Sequence, residues 1–537
     1  MTTRRSFTAG ALGAAAAITL PSRSGAQSGG SFSVSGRNGP FVRQVAGRRF
    51  GGASGDGGSL GLASDAINQG AYQQARLRMP QTEAAVSGLL AQLGGQWPYG
   101  RGPAPRVFIV GIDYYNAYSL PDNSIVVSFG LLDHAGSDDE VAFVLGHEYS
   151  HLLLGHFAGA ADARRNPETA GKLGQLFLVG AALSSVGGWS GAAGAAAREA
   201  GATGDLLQFV SATTAEQPHS QRQEDEADAL GFDLALAASF AAEDAAATVF
   251  DTIQADRVRR SAAEEALRSQ LKSQLSQAVG RDVVNSVLSG GLSTSNLRQS
   301  LFEGGARLAL GAATSRNQGP AHRPPAERKK GIAEYSETAY PSGAPLREVQ
   351  RAWLQRVRAS AEFGQARTAV TAVAEAMKAR TAGDYPTAGQ RIGVALASGY
   401  GGAPLVLCEA GRLRADMGDP TGADRMFSQA DASPDQTVDG AVDHGRMLYR
   451  AGLNDRALEL IDTSAARFGD EKPFAALKIA TLRQAGRQGE ADDAYARCQT
   501  WSDDGLRRDC ALAAGKTEEP KSQPSLPHIG FPGIPHF

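Results

Sequence analysis

The stretch that decides the fold of the first half of this chain is Glu140-Val-Ala-Phe-Val-Leu-Gly-His-Glu-Tyr-Ser-His-Leu-Leu-Leu154. Its apolar residues predict a buried helix, and this helix contains His147, Glu148 and His151 in the spacing HExxH. Residues four positions apart share one helical face, so both imidazoles can bind one metal ion with the glutamate beside them. The pattern is typical of peptide-bond hydrolysis by zinc-activated water.

The alternative is that two histidines happen to lie on one side of a core helix. The neighbouring residues Val141 to Val144 and Leu152 to Leu154 are apolar. Burying two imidazoles and a carboxylate among them without a partner would cost several kcal/mol. A bound metal ion removes that cost, so the sequence favours a metal site.

Composition sets the wider limits. A chain of 537 residues with 42% hydrophobic content is expected to form about three domains with proper cores. The formal net charge of -3 and the lack of a long Lys/Arg run exclude the basic surface that nucleic-acid binding requires. Nucleic acid is therefore not an expected partner.

The N-terminus has the pattern of an export signal. Arg4-Arg5 is followed by Ser6-Phe7 and a weakly apolar stretch from Ala9 to Leu20, and Ser24-Gly25-Ala26 offers small residues for cleavage. The paired arginines resemble a twin-arginine signal, and a general secretory signal remains the alternative. We expect residues 1–26 to be removed on export to the bacterial periplasm and residues 27–63, rich in Gly and Ser, to form a flexible leader.

Several further stretches occur in a fixed order around the HExxH helix. They are Val107-Phe-Ile-Val110, Asn116-Ala117, Leu120-Pro121, Ile125-Val-Val-Ser128, Gly130-Leu-Leu132, Asp139-Glu-Val-Ala142 and Leu145-Gly-His-Glu-Tyr-Ser-His151, followed by His156. In this order they resemble the HtpX/BepA-type zinc metallopeptidases, a family that includes the mitochondrial Oma-type protease and the CAAX prenyl endopeptidase. The resemblance implies an α+β zincin-type domain, mainly α with a small β-sheet, over residues 64–345.

The same resemblance implies where a substrate binds. Asn116 matches a family asparagine at the rim of the cleft. Ile125, Val126, Val127 and Ser128 match the edge strand to which an extended substrate pairs.

Such peptidases take a third zinc ligand from a second helix, in the pattern E-x-x-A-D-x-x-G. Here Ala227-Asp228 and Gly231 place that ligand at Glu224. Glu226 competes for the role, but Glu224 is four residues from Asp228 and shares its helical face. The resemblance thus implies one zinc ion per chain, bound by two histidines and Glu224, with Asp228 accepting a hydrogen bond from a ligating histidine. Glu148 would act as the general base toward zinc-bound water.

A histidine near a proline follows the two ligand helices in this family and can occupy the water position, which keeps the enzyme inactive. His322 matches that histidine, although Arg323 stands between it and the proline. An ordinary loop histidine is the alternative. His156 lies five positions past His151, a poor spacing for joining the same site, and we interpret it as structural.

Two internal segments have less defined roles. Leu173 to Gly194 is strongly apolar, but its Gly and Ser content makes it a weak candidate for a membrane span, and we favour a cover over the cleft that contacts a membrane surface. Residues 256–319 are expected to form an inserted helical segment, to which the sequence assigns no role.

The C-terminal part carries a repeat. Glycines recur at intervals of 35, 34 and 34 residues, and an alanine follows each glycine after five residues. The glycines are Gly383, Gly418, Gly452 and Gly486, and the alanines are Ala388, Ala423, Ala457 and Ala491. This period predicts an α-solenoid of tetratricopeptide-like helix pairs over 346–515, which would bind substrates or partners, and a plain helical bundle is the alternative. The Pro-rich tail 516–537 is expected to be disordered.

The chain has three cysteines, Cys408, Cys498 and Cys510. The last two flank a short turn-like segment, and an oxidising compartment would allow a disulfide between them. Cys408 is interpreted as a small core residue.

The leading functional hypothesis is an exported zinc endopeptidase that cleaves misfolded or stalled envelope and outer-membrane proteins, with its repeats engaging substrates or an envelope partner. One alternative is a chaperone or scaffold with a latent, self-inhibited metal site. Another is a membrane-associated HtpX-like protease, against which the lack of clear membrane spans argues.

Overall fold

The computed structural model describes residues 39–46, 75–100, 102–120, 123–157, 219–255, 323–501 and 504–516. Helices surround a small sheet in the first part of the chain, and stacked helices form the second part. This confirms the predicted fold class, a mainly helical α+β domain followed by paired helices.

The first part contains four strands and six helices with defined ends in the described ranges. The strands are β1 (Arg76–Leu77), β2 (Arg106–Val110), β3 (Ala117–Leu120) and β4 (Ser124–Ser128). The helices are α1 (Phe41–Gln44), α2 (Pro80–Gly94), α3 (Phe129–His134), α4 (Asp138–Leu153), α5 (Gln221–Ala237) and α6 (Pro325–Ala339). Residues 242–255 are also helical.

The strand order corrects one prediction. Within the described residues the sheet runs β1-β2-β4-β3, so β4 lies between β2 and β3 and every one of its residues is buried. Ile125, Val126, Val127 and Ser128 therefore do not form an edge strand. Val107 of β2 pairs with Ile125 in parallel, and β3 pairs with the other side of β4 in antiparallel fashion. Strands β1 and β3 are the two edges of this sheet.

Two helix starts are specified by side-chain caps. Ser137 accepts a hydrogen bond from the backbone N–H of Glu140, and three acidic residues follow in the first turn of α4, where the helix dipole favours negative charge. At the start of α5, Ser220 and Gln223 form a reciprocal capping box. These caps place the HExxH motif and Glu224 on helices whose beginnings are well defined.

The expectation of a flexible leader is wrong for residues 39–46. Phe41 is 3% exposed and Val45 is fully buried. The backbone N–H of Val42 donates to Asp233 of α5 over 2.9 Å, and that of Phe41 donates to the hydroxyl of Tyr335 over 2.5 Å. Two apolar side chains and two buried acceptors hold this segment in the core. The other residues of the expected leader up to 63 and the expected signal peptide 1–26 lie outside the described residues.

The second part is built from successive helix pairs. After α7 (Ala352–Ala359), the pairs are α8 (Ala361–Thr381) with α9 (Tyr385–Ala397), α10 (Pro404–Asp416) with α11 (Pro420–Asp431), α12 (Val438–Arg450) with α13 (Asn454–Phe468), and α14 (Ala475–Gln484) with α15 (Gln488–Gln499). A short 3-10 helix, Lys472–Phe474, precedes α14, and α16 (Asp504–Ala513) follows the last pair.

The repeat glycines and alanines have clear structural roles. Gly383, Gly418, Gly452 and Gly486 join the two helices of each pair with φ values from +72° to +77°, a backbone conformation that favours glycine. The repeat alanines are buried at the contact between helices, each with an exposed fraction of at most 1%. The 34-residue period thus corresponds to one helix pair.

The two parts share one hydrophobic core. Phe363 of α8 stacks on Phe129 of α3 with ring centroids 4.6 Å apart. Asp138, in the first turn of α4, accepts hydrogen bonds from the backbone N–H groups of Trp353 and Leu354 over 2.9 and 2.8 Å. The first repeat helix is therefore packed against α3, and α7, which leads into the repeats, is packed against the helix that carries HExxH.

A disulfide joins Cys498 of α15 to Cys510 of α16, with their Cα atoms 6.4 Å apart, and Cys408 is buried. In the described ranges, we find no helix with the length and apolar character needed to cross a membrane. The apolar segment Leu173 to Gly194, the insertion 256–319 and the tail beyond Lys516 lie outside those ranges.

Candidate metal site

The site is built where α4 and α5 cross at two glycines. A β-carbon at Gly231 would lie 2.7 Å from the backbone nitrogen of His147, and one at Gly146 would lie 3.0 Å from the carbonyl oxygen of Gly231. Only glycine allows this approach. Glu224, Asp228 and Gly231 recur at helical spacing on one face of α5, so the close contact brings both acids against the HExxH helix.

Three side chains converge at this crossing. The Nε2 atoms of His147 and His151 are 3.2 Å apart, and each lies 3.6 Å from a carboxylate oxygen of Glu224. All three residues are buried, and their ligand atoms lie within 4.8 Å of one another. Ligands at about 2.0–2.2 Å from a tetrahedral zinc ion are separated by about 3.3–3.5 Å. The observed spacing therefore fits a metal ion of that kind.

Asp228 and Arg328 form the layer behind His147. An oxygen of Asp228 lies 2.9 Å from Nδ1 of His147, and Arg328 of α6 donates to both oxygens of Asp228 over 2.8 and 2.5 Å. Because an ionised Asp228 can only accept, Nδ1 of His147 carries the proton and Nε2 offers its lone pair to the site. Asp228 thus has the position that the sequence predicted.

The pKa values follow from burial and these contacts. Burial lowers the pKa of His147, but the hydrogen bond and charge of Asp228 outweigh burial and leave this pKa raised. Burial raises the pKa of Asp228, but Arg328 and His147 together hold it below its usual value. Burial lowers the pKa of His151 well below its usual value, which keeps this imidazole neutral and able to bind a metal ion.

Charge also favours a cation. When ionised, the buried Glu224 and Asp228 and the largely buried Glu148 are three carboxylates around the site, and Arg328 is the guanidinium that faces them in the described part of the chain. Two negative charges remain after that pairing, and uncompensated buried charge is strongly unfavourable. A divalent metal ion would neutralise them.

Glu148 is held toward the edge of the sheet. Its Oε2 accepts hydrogen bonds from the backbone N–H and the hydroxyl of Ser119 over 2.8 and 2.9 Å, and its Oε1 lies 4.0 Å from Nε2 of His147. Burial raises the pKa of Glu148 to about 7, against the lowering effects of His147 and Ser119. A carboxyl group that titrates near neutral pH can both accept and release a proton.

The remaining predicted residues lie further from the ligands. Asn116 precedes β3, and its backbone N–H donates to the hydroxyl of Ser128 over 3.0 Å. Ser128 also accepts a hydrogen bond from the backbone N–H of Leu131, so Ser128 caps α3. His322 lies outside the described residues. Its neighbour Arg323 forms a forked contact with buried Asp225, over 3.0 and 3.1 Å, which fixes the start of this segment to α5 beside Glu224.

Sequence reasoning did not single out Ser119 or Arg328. Ser119 lies in the short strand after Asn116, and no local pattern marks a strand residue that contacts a helix 29 positions away. Arg328 follows His322 by six residues in the sequence. The one available signal was that a buried carboxylate such as Asp228 needs a cationic partner, which could have directed attention to Arg328.

An HExxH helix, a carboxylate ligand from a second helix and a glutamate beside the ligands define a metallopeptidase-type domain. The model of peptidase family M48 matches residues 98–301. This part of the chain therefore resembles peptidase family M48, which agrees with the metallopeptidase resemblance predicted from the sequence. The mitochondrial metalloendopeptidase OMA1 of Arabidopsis thaliana is 47% identical to this chain over 53 residues, which are 10% of this chain. The match spans 11% of that protein's length.

Proposed function

We propose that this protein is a zinc-dependent endopeptidase. The observation that carries the proposal is the convergence of His147, His151 and Glu224 at distances that suit one tetrahedral metal ion. The peptidase family M48 match over residues 98–301 supports peptide bonds as the target of the chemistry. These residues would hold a zinc ion through two nitrogens and one oxygen, a donor set found in catalytic zinc sites.

When bound, the zinc ion activates water and polarises the scissile carbonyl. Glu148 accepts the proton of the attacking water, since its carboxylate lies beside the ligand nitrogens, and later delivers a proton to the leaving amine. Ser119 holds one oxygen of Glu148 with two hydrogen bonds, which leaves the other oxygen directed toward the ligands. Asp228 keeps His147 in the metal-binding tautomer.

An extended polypeptide would bind along β3. The backbone N–H of Ser119 points to Glu148 and away from β4, so Ala117, two residues earlier, presents its backbone groups to the same edge of the sheet. Pairing there would place the substrate backbone beside Glu148 and give affinity with little sequence preference. Ala117→Pro removes an edge N–H and is expected to raise KM with unchanged metal affinity.

The helix pairs would supply a second binding surface. Their first helix, α8, packs against α3 in a core to which α4 also contributes, so a polypeptide bound to the pairs would be held near the catalytic helix. With the signal-like N-terminus and the disulfide between Cys498 and Cys510, this supports an exported enzyme acting on misfolded or stalled envelope and outer-membrane proteins in the periplasm.

Glu148→Gln tests the enzyme proposal. The full chain and the variant are loaded with zinc, and cleavage of an unfolded envelope protein is followed by gel electrophoresis. Cleavage should fall by at least about a hundredfold, the lower end of the usual range for general-base catalysis. Glu243→Gln is the matched control, because Glu243 is an exposed glutamate of the helical segment 242–255. Equal cleavage by the zinc-loaded Glu148 variant and the wild type would favour the scaffold alternative.

A further inference from the structure

The turn after the HExxH helix returns a third histidine to the site. Gly155 has φ of +65°, and the backbone N–H of His156 donates to the carbonyl of His151 over 3.0 Å. This is the helix-ending turn in which a left-handed glycine reverses the chain. As a result Nδ1 of His156 lies 2.9 Å from Nδ1 of His151, although the two residues are five positions apart.

His156 is in turn held by α5. Its Nε2 lies 3.4 Å from Oε2 of Glu226, and its backbone carbonyl accepts a hydrogen bond from Gln223 over 3.0 Å. The other oxygen of Glu226 accepts from Arg222 over 3.1 Å. The side chain of His156 is 5% exposed and that of Glu226 is 11% exposed, so water competes little for these contacts.

The direction of these hydrogen bonds follows from the ligand role of His151. Its Nε2 faces His147 and Glu224 and must offer a lone pair to a metal ion, so its proton lies on Nδ1. That N–H donates to Nδ1 of His156, which leaves the proton of His156 on Nε2, directed at the carboxylate of Glu226. The tautomer of His156 is therefore determined by Glu226, and the tautomer of His151 by His156.

We propose that His156 and Glu226 are positioning residues that hold His151 in its metal-binding tautomer, through a chain of contacts from Glu226 to His156 to His151. The inference rests on the proposed metal site and deepens it. Asp228 does the same for His147 by direct contact, whereas His151 reaches its carboxylate through a second imidazole. Glu226, which the sequence offers as an alternative third metal ligand to Glu224, contacts His156 and does not face the ligand group.

Metal affinity tests the proposal without relying on activity. Zinc is titrated into the metal-free full-length chain in competition with a chromophoric chelator, and cobalt absorption reports the ligand geometry. His156→Phe should weaken zinc binding about 10–100-fold, the usual effect of losing a group that orients a ligand. His156→Asn, which keeps an acceptor near the position of Nδ1, should restore most of the affinity. Glu226→Gln should weaken binding less, and should have little further effect in the His156→Phe background.

His444→Phe is the matched control. His444 is as buried as His156 and also contacts carboxylates, Asp424 and Asp431, but it lies on repeat helix α12. The His444→Phe substitution should lower the stability of the protein and leave its zinc affinity and its cobalt spectrum unchanged. If His156→Phe binds zinc within twofold of the wild type, the positioning role is refuted while the metal site stands. A wild-type chain that binds no zinc would refute the proposed function and this inference with it.

Discussion

Gly231 packs so closely on the HExxH helix that a β-carbon at this position would lie 2.7 Å from the backbone nitrogen of His147 and 3.0 Å from its Cα. Both neighbours are backbone atoms and cannot move aside without shifting the helix. The distance between His147 and Glu224 therefore depends on a residue that binds nothing itself. The glycine in the pattern E-x-x-A-D-x-x-G has this physical meaning here.

Gly231→Ala should accordingly separate α4 from α5 and weaken zinc binding by at least about tenfold, measured by competition with a chelator. Gly88→Ala is the control, because Gly88 is also helical and a β-carbon there meets nothing within 4 Å. That substitution should leave zinc binding unchanged and raise stability by about 0.5–1 kcal/mol. Unchanged zinc affinity in the Gly231 variant would contradict the argument.

Arg328→Met should destabilise the fold by about 3–5 kcal/mol, because it leaves the carboxylate of Asp228 buried without its guanidinium partner. Denaturant unfolding of the metal-free chain measures this. The neighbouring substitution Lys329→Met breaks an exposed pair with Asp251 and should cost at most about 1 kcal/mol. Similar losses in both variants would show that the buried pairing is not the cause.

Asp233 predicts a pH dependence of stability. Burial raises the pKa of Asp233 to about 6, from 3.8 in the unfolded chain, despite hydrogen bonds from Val42, Tyr335 and Tyr340. Because the pKa is raised on folding, the stabilisation is complete below about pH 4 and is lost as pH rises toward 6, by roughly 3 kcal/mol in total.

The measurement compares the free energy of unfolding of the wild type and Asp233→Asn between pH 4 and pH 7. The advantage of the wild type over the variant should shrink up to about pH 6 and stay constant above it. Asp244→Asn, at an exposed position, should show a constant difference across this range. A wild-type advantage that grows with pH would be inconsistent with a raised pKa.

Ser119→Ala removes one of the two hydrogen bonds to Oε2 of Glu148 and retains the backbone N–H. A hydrogen bond to a charged group contributes about 1.5–3 kcal/mol, so kcat should fall about tenfold or more while zinc affinity stays constant. Ser87→Ala is the control, since Ser87 is exposed and bonds to a carbonyl within its own helix. Steady-state cleavage of a peptide substrate and a zinc titration separate the two effects; a parallel loss of zinc binding would mean that Ser119 supports the ligands instead.

The sequence by itself determined the features that depend on spacing along one helix or on a short pattern. His147, Glu148 and His151 share a face because they lie within one turn, and Glu224 and Asp228 do so on the second ligand helix. The 34-residue period determined the helix pairs, since each glycine marks the turn inside a pair. These features need no knowledge of which segments meet in space.

Tertiary structure alone decided the rest. The sequence assigned β4 to the sheet edge, but pairing with both β2 and β3 places it inside, and strand order depends on contacts between distant segments. His156 was interpreted as structural because five residues do not match a helical repeat, yet the chain reverses at Gly155 and returns the ring to His151. Arg328 meets Asp228 across 100 residues of chain. The local sequence therefore specified the candidate ligands, and long-range packing specified the contacts around them.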